Sequence, residues 1–315
     1  MLDQDDIERA LKTRYGMTVT HITPLLPLVW NWRALYQITT DDQQQFVLRL
    51  IREAYQSESL KHSAHLMHWL DEQAYPVAKV HRTLDGHLVG TYKGWALLLL
   101  DFVDGDELPR TSAQMGNLAR LLAALHNLPL QHDTPQTHSW WHPPTTLETL
   151  QTQLKTYISR FVKDNEIFIT LQKSMEQLQS ITLPYCIIHG DPWYKNAIVT
   201  QHQHVLLIDW DCAGLGWAIL DLGYLLLTSH YDLATPLDVH PDQHLITTII
   251  TDYEATRPLS PIEKGTLPDT VMLAIAFQFT NALASNPDIT HEHPMYHKLT
   301  ACYAAAREIG RIINV

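Results

Sequence analysis

The sequence predicts an α+β chain in two lobes: a sheet-rich N-terminal lobe over residues 1–100, a connector over 101–106, and a larger, mostly helical lobe over 107–315. Three observations carry this expectation. Alternating and β-branched apolar runs dominate from about Val19 to Val103, helical spacing of apolar residues takes over after Asp106, and a short hairpin flanked by acidic residues stands inside the helical part. A chain of 315 residues suits two cores, or one large domain with insertions, and the change of pattern near the connector favours two.

In the first lobe the strand runs are VTHITPLL, RALYQITT, QQQFVLRLIRE, AKVHRTLDGHLVG and GWALLLLDFV, separated by polar turns such as TTDDQQ and LDGH. One helix interrupts them. Leu60, Ala64 and Met67 recur at helical spacing, and Pro76 follows as a stop signal. After DGDELPRTS, which offers a Ser or Thr cap, Met115, Leu118, Leu122 and Leu125 share one helical face. Residues 147–179 read as helical with a polar surface. HLITTIITDYEA, PDTVMLAIAFQFTNALA and HKLTACYAAAREIGRII carry apolar stripes, the first through Ile246, Ile249, Ile250 and Tyr253.

Composition narrows the partners. The net charge is 22 − 34 = −12, which argues against nucleic acid or an anionic membrane surface and suits a cationic ligand. Cys186, Cys212 and Cys302 are scattered without metal-ligand spacing, so a reducing cytoplasm is the expected setting. The start MLDQDDIERALK lacks the basic and apolar segments of a secretion signal, and the longest apolar run, WALLLLDFV, falls short of the roughly 20 residues that span a bilayer.

The chemistry concentrates in IIHGDPWYKNAIVTQHQHVLLIDWDCAG, Ile187 to Gly214. AIVT and HVLLI, parted by QHQ, form the pattern of an antiparallel hairpin. Asn196 stands just before the first arm and Asp209 just after the second, with Asp191 and Asp211 nearby in sequence. Acids at this density repel one another unless a cation or a proton relieves them.

HGDPWYKN has the form H-G-D-x-x-x-x-N, and LIDWD places Asp209 18 positions after Asp191. With these motifs the chain resembles the aminoglycoside phosphotransferase and choline kinase group, relatives of the protein kinases. LARLLAALH, GWAILDLGYLL and YEATRPLSPIE extend the resemblance through the second lobe, and RALYQI, FVLRLIREA and YPVAKV through the first. The resemblance implies a two-lobed, protein-kinase-like fold with MgATP between the lobes, and transfer of the γ-phosphoryl group to a hydroxyl of a small molecule. Such a transfer needs charge neutralisation and in-line positioning more than covalent help.

By the same resemblance Asp209 is the principal Mg²⁺ ligand, Asn196 a second one, and Asp191 the group that orients or accepts the substrate hydroxyl proton. His189 braces the loop and Asp221 hydrogen-bonds its backbone. Lys195, four residues after Asp191, either reaches the transferring phosphate or lies solvated at the surface. Asp211 either touches a second metal or caps the loop before Gly214, the cap being preferred. Arg49 takes the strand position that meets ATP phosphates, and the backbone of Asp101, Phe102 and Val103 is expected at the adenine.

The chain also departs from the family. The helix position that should hold a glutamate partner for Arg49 falls at Ser63, and Glu58, five residues earlier, points about 140° away round the helix. The phosphate-covering stretch LLPLVWNWRALYQI has no glycine, so Trp30, Asn31 and Trp32 either cover the nucleotide or simply pack. Trp140 and Trp141 in HSWWHPP either stack on a substrate or fill a loop core, and the histidines of HEHPMYHK are taken as surface.

Two functions from different classes follow: an ATP-dependent kinase of a small hydroxylated molecule, or a nucleotide-binding homologue without turnover. The intact Asp191, Asn196 and Asp209 favour the kinase. Its expected acceptor is amine-bearing, an aminoglycoside-like antibiotic first and a homoserine or choline type metabolite second.

Overall fold

The computed structural model describes residues 2–25, 32–139, 143–161, 165–231 and 240–314. The chain forms two compact units, one of residues 1–106, 132–137 and 198–211, the other of residues 107–131, 138–197 and 212–315.

The chain opens with helix α1 (Gln4–Tyr15), capped by the Asp3 carboxylate, which accepts from the Asp6 N–H, and closed by Gly16 at φ 72°. This helix goes beyond the sequence expectation, which took the segment only as acidic. Its start and stop residues were nevertheless in plain view, with Asp5 and Asp6 in the first turn and Lys12 and Arg14 in the last. Strands β1 (Val19–Pro24), β2 (Arg33–Thr40) and β3 (Gln45–Arg52) follow, then helix α2 (Glu53–Glu72).

The expected strand AKVHRTLDGHLVG is two short pieces, β4 (Val80–His81) and β5 (Gly90–Tyr92), parted by a loop that turns at Gly86 with φ 85°. After them come β6 (Trp95–Asp101) and β7 (Gly105–Glu107). The antiparallel sheet runs β1-β2-β3-β6-β4, with β5 also paired to β6.

Alternation along β3 buries Phe46, Leu48 and Leu50 in one core with Ile7, Ala10 and Leu11 of α1. Arg49 therefore projects from the opposite face, the one on which α2 packs against β3 and β6.

The helical part begins with α3 (Ser112–His126), whose cap is Thr111, and continues with α4 (Pro143–Arg160) and α5 (Asn165–Gln179). The segment 147–179 is thus two helices. Strand β8 (Cys186–Ile188) leads into the expected hairpin, β9 (Ala197–Thr200) beside β10 (Val205–Leu207), with β7 on the other side of β9. Gly105 permits that last pairing, since a Cβ there would stand 2.5 Å from the Val199 carbonyl oxygen.

Strand β11 (Gly214–Gly216) pairs antiparallel with β8. Helices α6 (Ala218–Thr228), α7 (Gln243–Thr256), α8 (Pro261–Ser285) and α9 (Pro294–Ile313) complete the chain. Helix α8 starts seven residues before PDTVM because Ser260 and Glu263 form a capping box, and it runs on through Pro268. The α7 stripe buries Leu245, Ile246, Ile249 and Tyr253, leaving Ile250 half-buried. No helix among the described residues is long and apolar enough to cross a membrane.

Candidate active site

The second unit builds the loop that follows β8. His189 is fully buried, and its Nδ1 accepts from the Asp191 N–H at 3.3 Å. Gly190 has φ 80°, and a Cβ there would meet the Cys212 carbonyl oxygen at 2.2 Å, so the H-G-D sequence requires its glycine on two counts. The Asp221 carboxylate of α6 accepts the His189 N–H at 2.7 Å with one oxygen and the Gly190 N–H at 2.9 Å with the other.

Asp221 is itself held. His126 of α3 meets its Oδ2 through Nε2 at 3.1 Å, and the Tyr253 hydroxyl of α7 meets Nδ1 of the same ring at 2.7 Å. All three side chains are buried. Burial pulls the His126 pKa below its ordinary value despite the neighbouring Asp221. The sequence anticipates the brace from Asp221 and misses both the histidine and the tyrosine behind it.

Asp191 and Asn196 come together. The Asn196 amide nitrogen donates to the Asp191 carboxylate at 2.8 Å and to its carbonyl at 3.1 Å. Because both partners are acceptors, the amide orientation is forced, and its Oδ1 remains the hard-oxygen end of the side chain. Tyr224 joins Asp191: burial, and then the carboxylate that the phenol hydrogen-bonds, push its pKa up. Sequence reasoning overlooked Tyr224, although it stands three residues after Asp221 on an otherwise apolar helix. The Lys195 ammonium lies 4.7 Å from the Trp193 ring centre and 5.8 Å from that of Tyr194.

The first unit holds Arg49, Asp209 and Asp211. Asp209 sits at φ 62°, a left-handed conformation that non-glycine residues adopt where a site requires it, and its side chain is 51% exposed. Arg49 Nη2 lies 3.7 Å from Asp209 Oδ1 and 2.5 Å from Asp211 Oδ2. The other oxygen of Asp211 accepts the Ser63 hydroxyl at 2.9 Å. Burial would raise the Asp211 pKa, but Arg49 and these hydrogen bonds outweigh it and hold it below the usual carboxylate range.

Two points that the sequence left open are answered here. Asp211, expected to cap the loop or to touch a second metal, has its two oxygens on Arg49 and Ser63. Glu58 has no part in this pairing, since it meets Lys61 at 2.7 Å on the exposed side of α2. Ser63 does lie on the face of α2 expected to meet this pair, and Arg49 is paired without a helix carboxylate.

At the expected adenine segment, the Asp101 N–H donates to the Lys79 carbonyl and the Phe102 N–H to that of Gln45, at 3.0 and 3.2 Å. The Asp101 carboxylate meets His81 Nε2 at 2.5 Å. Val103 makes no hydrogen bond with the described residues, which leaves its backbone groups for a ligand. Trp30, Asn31, Trp140 and Trp141 lie outside the described residues. Trp32 stacks under the Arg33 guanidinium, 5.4 Å from its ring centre. His291 packs edge-on against Phe161 and Tyr296, and His293 caps α9 by accepting from the Met295 N–H.

A sequence profile of the phosphotransferase enzyme family matches residues 26–259. The chain belongs to the phosphotransferase enzyme family. A homoserine kinase of Phenylobacterium zucineum is 24% identical to this family member over 234 residues, 71% of this chain and 68% of that protein. Across the curated relatives it matches, the chain spans about two thirds of their length.

Among solved structures, spectinomycin phosphotransferase APH(9)-Ia with ADP and spectinomycin superposes with a TM-score of 0.69 at 14% identity, over 100% of this chain and 98% of that one. The amicoumacin kinase hAmiN in complex with AMP-PNP, Ca²⁺ and Ami gives 0.69 at 15%, over 98% of this chain and 94% of that one. The fold is accordingly the protein-kinase-like α+β fold that the motifs led one to expect.

Proposed function

We propose that this phosphotransferase moves the γ-phosphoryl group of ATP to a hydroxyl of a small amine-bearing alcohol. The observation that carries the proposal is Asp191, whose backbone is held by His189 and whose carboxylate is held by the Asn196 amide, on a loop fixed from behind by Asp221. A carboxylate oriented in this way can hold an acceptor hydroxyl in line and take its proton as the bond to phosphorus forms.

Arg49, anchored through Nη2, offers Nη1 and Nε to nucleotide phosphate, and Val103 offers backbone groups to the adenine. Asp101 and Phe102 contribute through their carbonyls, since their N–H groups are already engaged. Lys195, laid against Trp193, is the second cation for the transferring phosphate.

Asp209 and Asn196 are each hard-oxygen donors of the kind Mg²⁺ takes: the first is an exposed carboxylate, and the second is an amide whose nitrogen is engaged by Asp191. When bound, such an ion neutralises phosphate charge. Both solved neighbours described above carry an adenine nucleotide, and one of them also carries Ca²⁺.

The net charge of −12 supports an amine-bearing acceptor, with an aminoglycoside-like antibiotic the first choice. A second reading, a homoserine-type metabolite kinase working in the cytoplasm, is favoured by the similarity to the Phenylobacterium enzyme. The test is ADP release with MgATP across aminoglycosides, other antibiotics and amino alcohols including homoserine and choline. One compound class should give turnover, and Asp191→Asn should lower kcat by about 10²–10⁴-fold while ATP binding persists. Turnover of neutral sugars alone would overturn the amine requirement. ATP binding without turnover of any acceptor would favour the non-catalytic homologue.

A further inference from the structure

We infer that Asp211, completed by the Ser63 hydroxyl, is the positioning residue for Arg49, doing from the loop after β10 what a carboxylate on α2 would otherwise do. The inference rests on the reading of Arg49 as a nucleotide-phosphate ligand.

The first argument is geometric. Arg49 projects from the α2 side of the sheet, where a helix acid would be its nearest partner, yet the α2 residue that reaches this point is Ser63, fully buried and uncharged. A serine hydroxyl donates a hydrogen bond and cannot balance a guanidinium. The negative charge comes instead from Asp211, 162 positions along the chain, whose two oxygens divide the work: Oδ2 takes Arg49 at 2.5 Å and Oδ1 takes Ser63 at 2.9 Å. Ser63 thereby fixes the carboxylate that fixes Arg49.

The second argument is mechanical. Asp211 follows Trp210, which is fully buried, packs edge-on against Tyr75 at 6.0 Å and donates from Nε1 to the Leu207 carbonyl at 3.1 Å. The Trp210 carbonyl also lies 3.3 Å from the Ser63 hydroxyl. The tryptophan between the two acids of LIDWD is thus a peg that sets Asp211 against α2. Asp209, two residues earlier and at a left-handed backbone, is more exposed and stands farther from the same Nη2, at 3.7 Å.

The third argument concerns the donor. A guanidinium has five N–H donors in a planar fork. Asp211 and Asp209 both engage Nη2, so the anchored edge is separate from Nη1 and Nε, to which no described residue bonds. A lysine would have to meet both partners from a single nitrogen, whereas the arginine fork puts the anchored donor and the remaining donors on different nitrogens.

The test is ADP affinity by calorimetry in EDTA and again in Mg²⁺, for wild type, Arg49→Ala, Asp211→Asn, Ser63→Ala, and the exchange Asp211→Asn with Ser63→Asp. Positioning predicts about tenfold weaker ADP binding for Asp211→Asn in both buffers and a smaller loss of roughly threefold for Ser63→Ala. Moving the acid onto α2 in the exchange variant should recover most of the loss. A deficit for Asp211→Asn seen only in Mg²⁺ would make Asp211 a metal ligand and overturn the inference. So would an exchange variant that binds no better than Asp211→Asn. If Asp211→Asn does not fold, Ser63→Ala decides alone, and wild-type affinity in that variant overturns the inference. Undiminished ADP binding by Arg49→Ala would instead remove the reading of Arg49 itself, which separates the two failures.

Discussion

Two polar clusters, one buried and one part-buried, hold the candidate site residues of this protein, and they do so by different physics. In the second unit Asp221, almost wholly buried, receives two backbone N–H groups and an imidazole, itself backed by Tyr253. In the first unit Asp211, 29% exposed, receives one guanidinium and one hydroxyl. The first arrangement satisfies every partner without water and leaves little room for movement. The second is an ion pair reachable by solvent, held at one edge of the guanidinium only. The comparison teaches that the loop carrying Asp191 is fixed as part of the fold, whereas Arg49 is only poised.

The largest effect expected from this contrast is on Asp221→Ala, which strands the His189 and Gly190 N–H groups and the His126 ring inside the protein. Urea unfolding should show a loss of about 3–5 kcal/mol. Asp211→Asn should lose far less stability under the same measurement, and equal losses would break the contrast. Tyr253→Phe comes next, since it leaves His126 Nδ1 buried without its partner, and a loss of about 1–3 kcal/mol is expected. Because Tyr253 touches no reacting atom in the proposed mechanism, its kcat for any accepted substrate should fall only as far as the Asp191 loop loosens.

The pH dependence of stability gives a third, smaller effect. His126 has a depressed folded-state pKa, so it stays neutral in the native protein while the unfolded chain takes up a proton. Its contribution is therefore fully present above the unfolded pKa of about 6.5 and is lost as pH falls from there toward the folded pKa, by at most about 1.4 kcal/mol per pH unit. Comparing urea midpoints at pH 7 and pH 5.5 should show this slope in wild type and a flatter one in His126→Gln. The smallest effect belongs to Glu58→Gln, which breaks only an exposed pair with Lys61. It should change stability by less than about 0.5 kcal/mol and leave ADP affinity unaltered, as a residue with no hold on Arg49 must.

Much of this protein is written locally in its sequence. The hairpin between Asn196 and Asp209, the α2 stripe through Leu60, Ala64 and Met67, and the Thr111 cap of α3 all follow from periodicity and turn chemistry within a dozen residues. The start of α8 was equally local, and the Ser260–Glu263 box marks it. What local pattern leaves open is which strand runs survive: AKVHRTLDGHLVG has strand composition throughout, yet only residues that find a place beside β6 become strand.

The sequence by itself determined the change from strands to helices, the hairpin, the family motifs and the residue types at the candidate site, because each of these depends on neighbours along the chain. Only the tertiary structure decided who holds whom. Asp211 meets Arg49 across 162 positions, His126 meets Asp221 across 95, and Tyr253 meets His126 across 127. Such pairings are chosen by which buried charge or ring would otherwise lack a partner once water is excluded, and that condition exists only after the chain has folded.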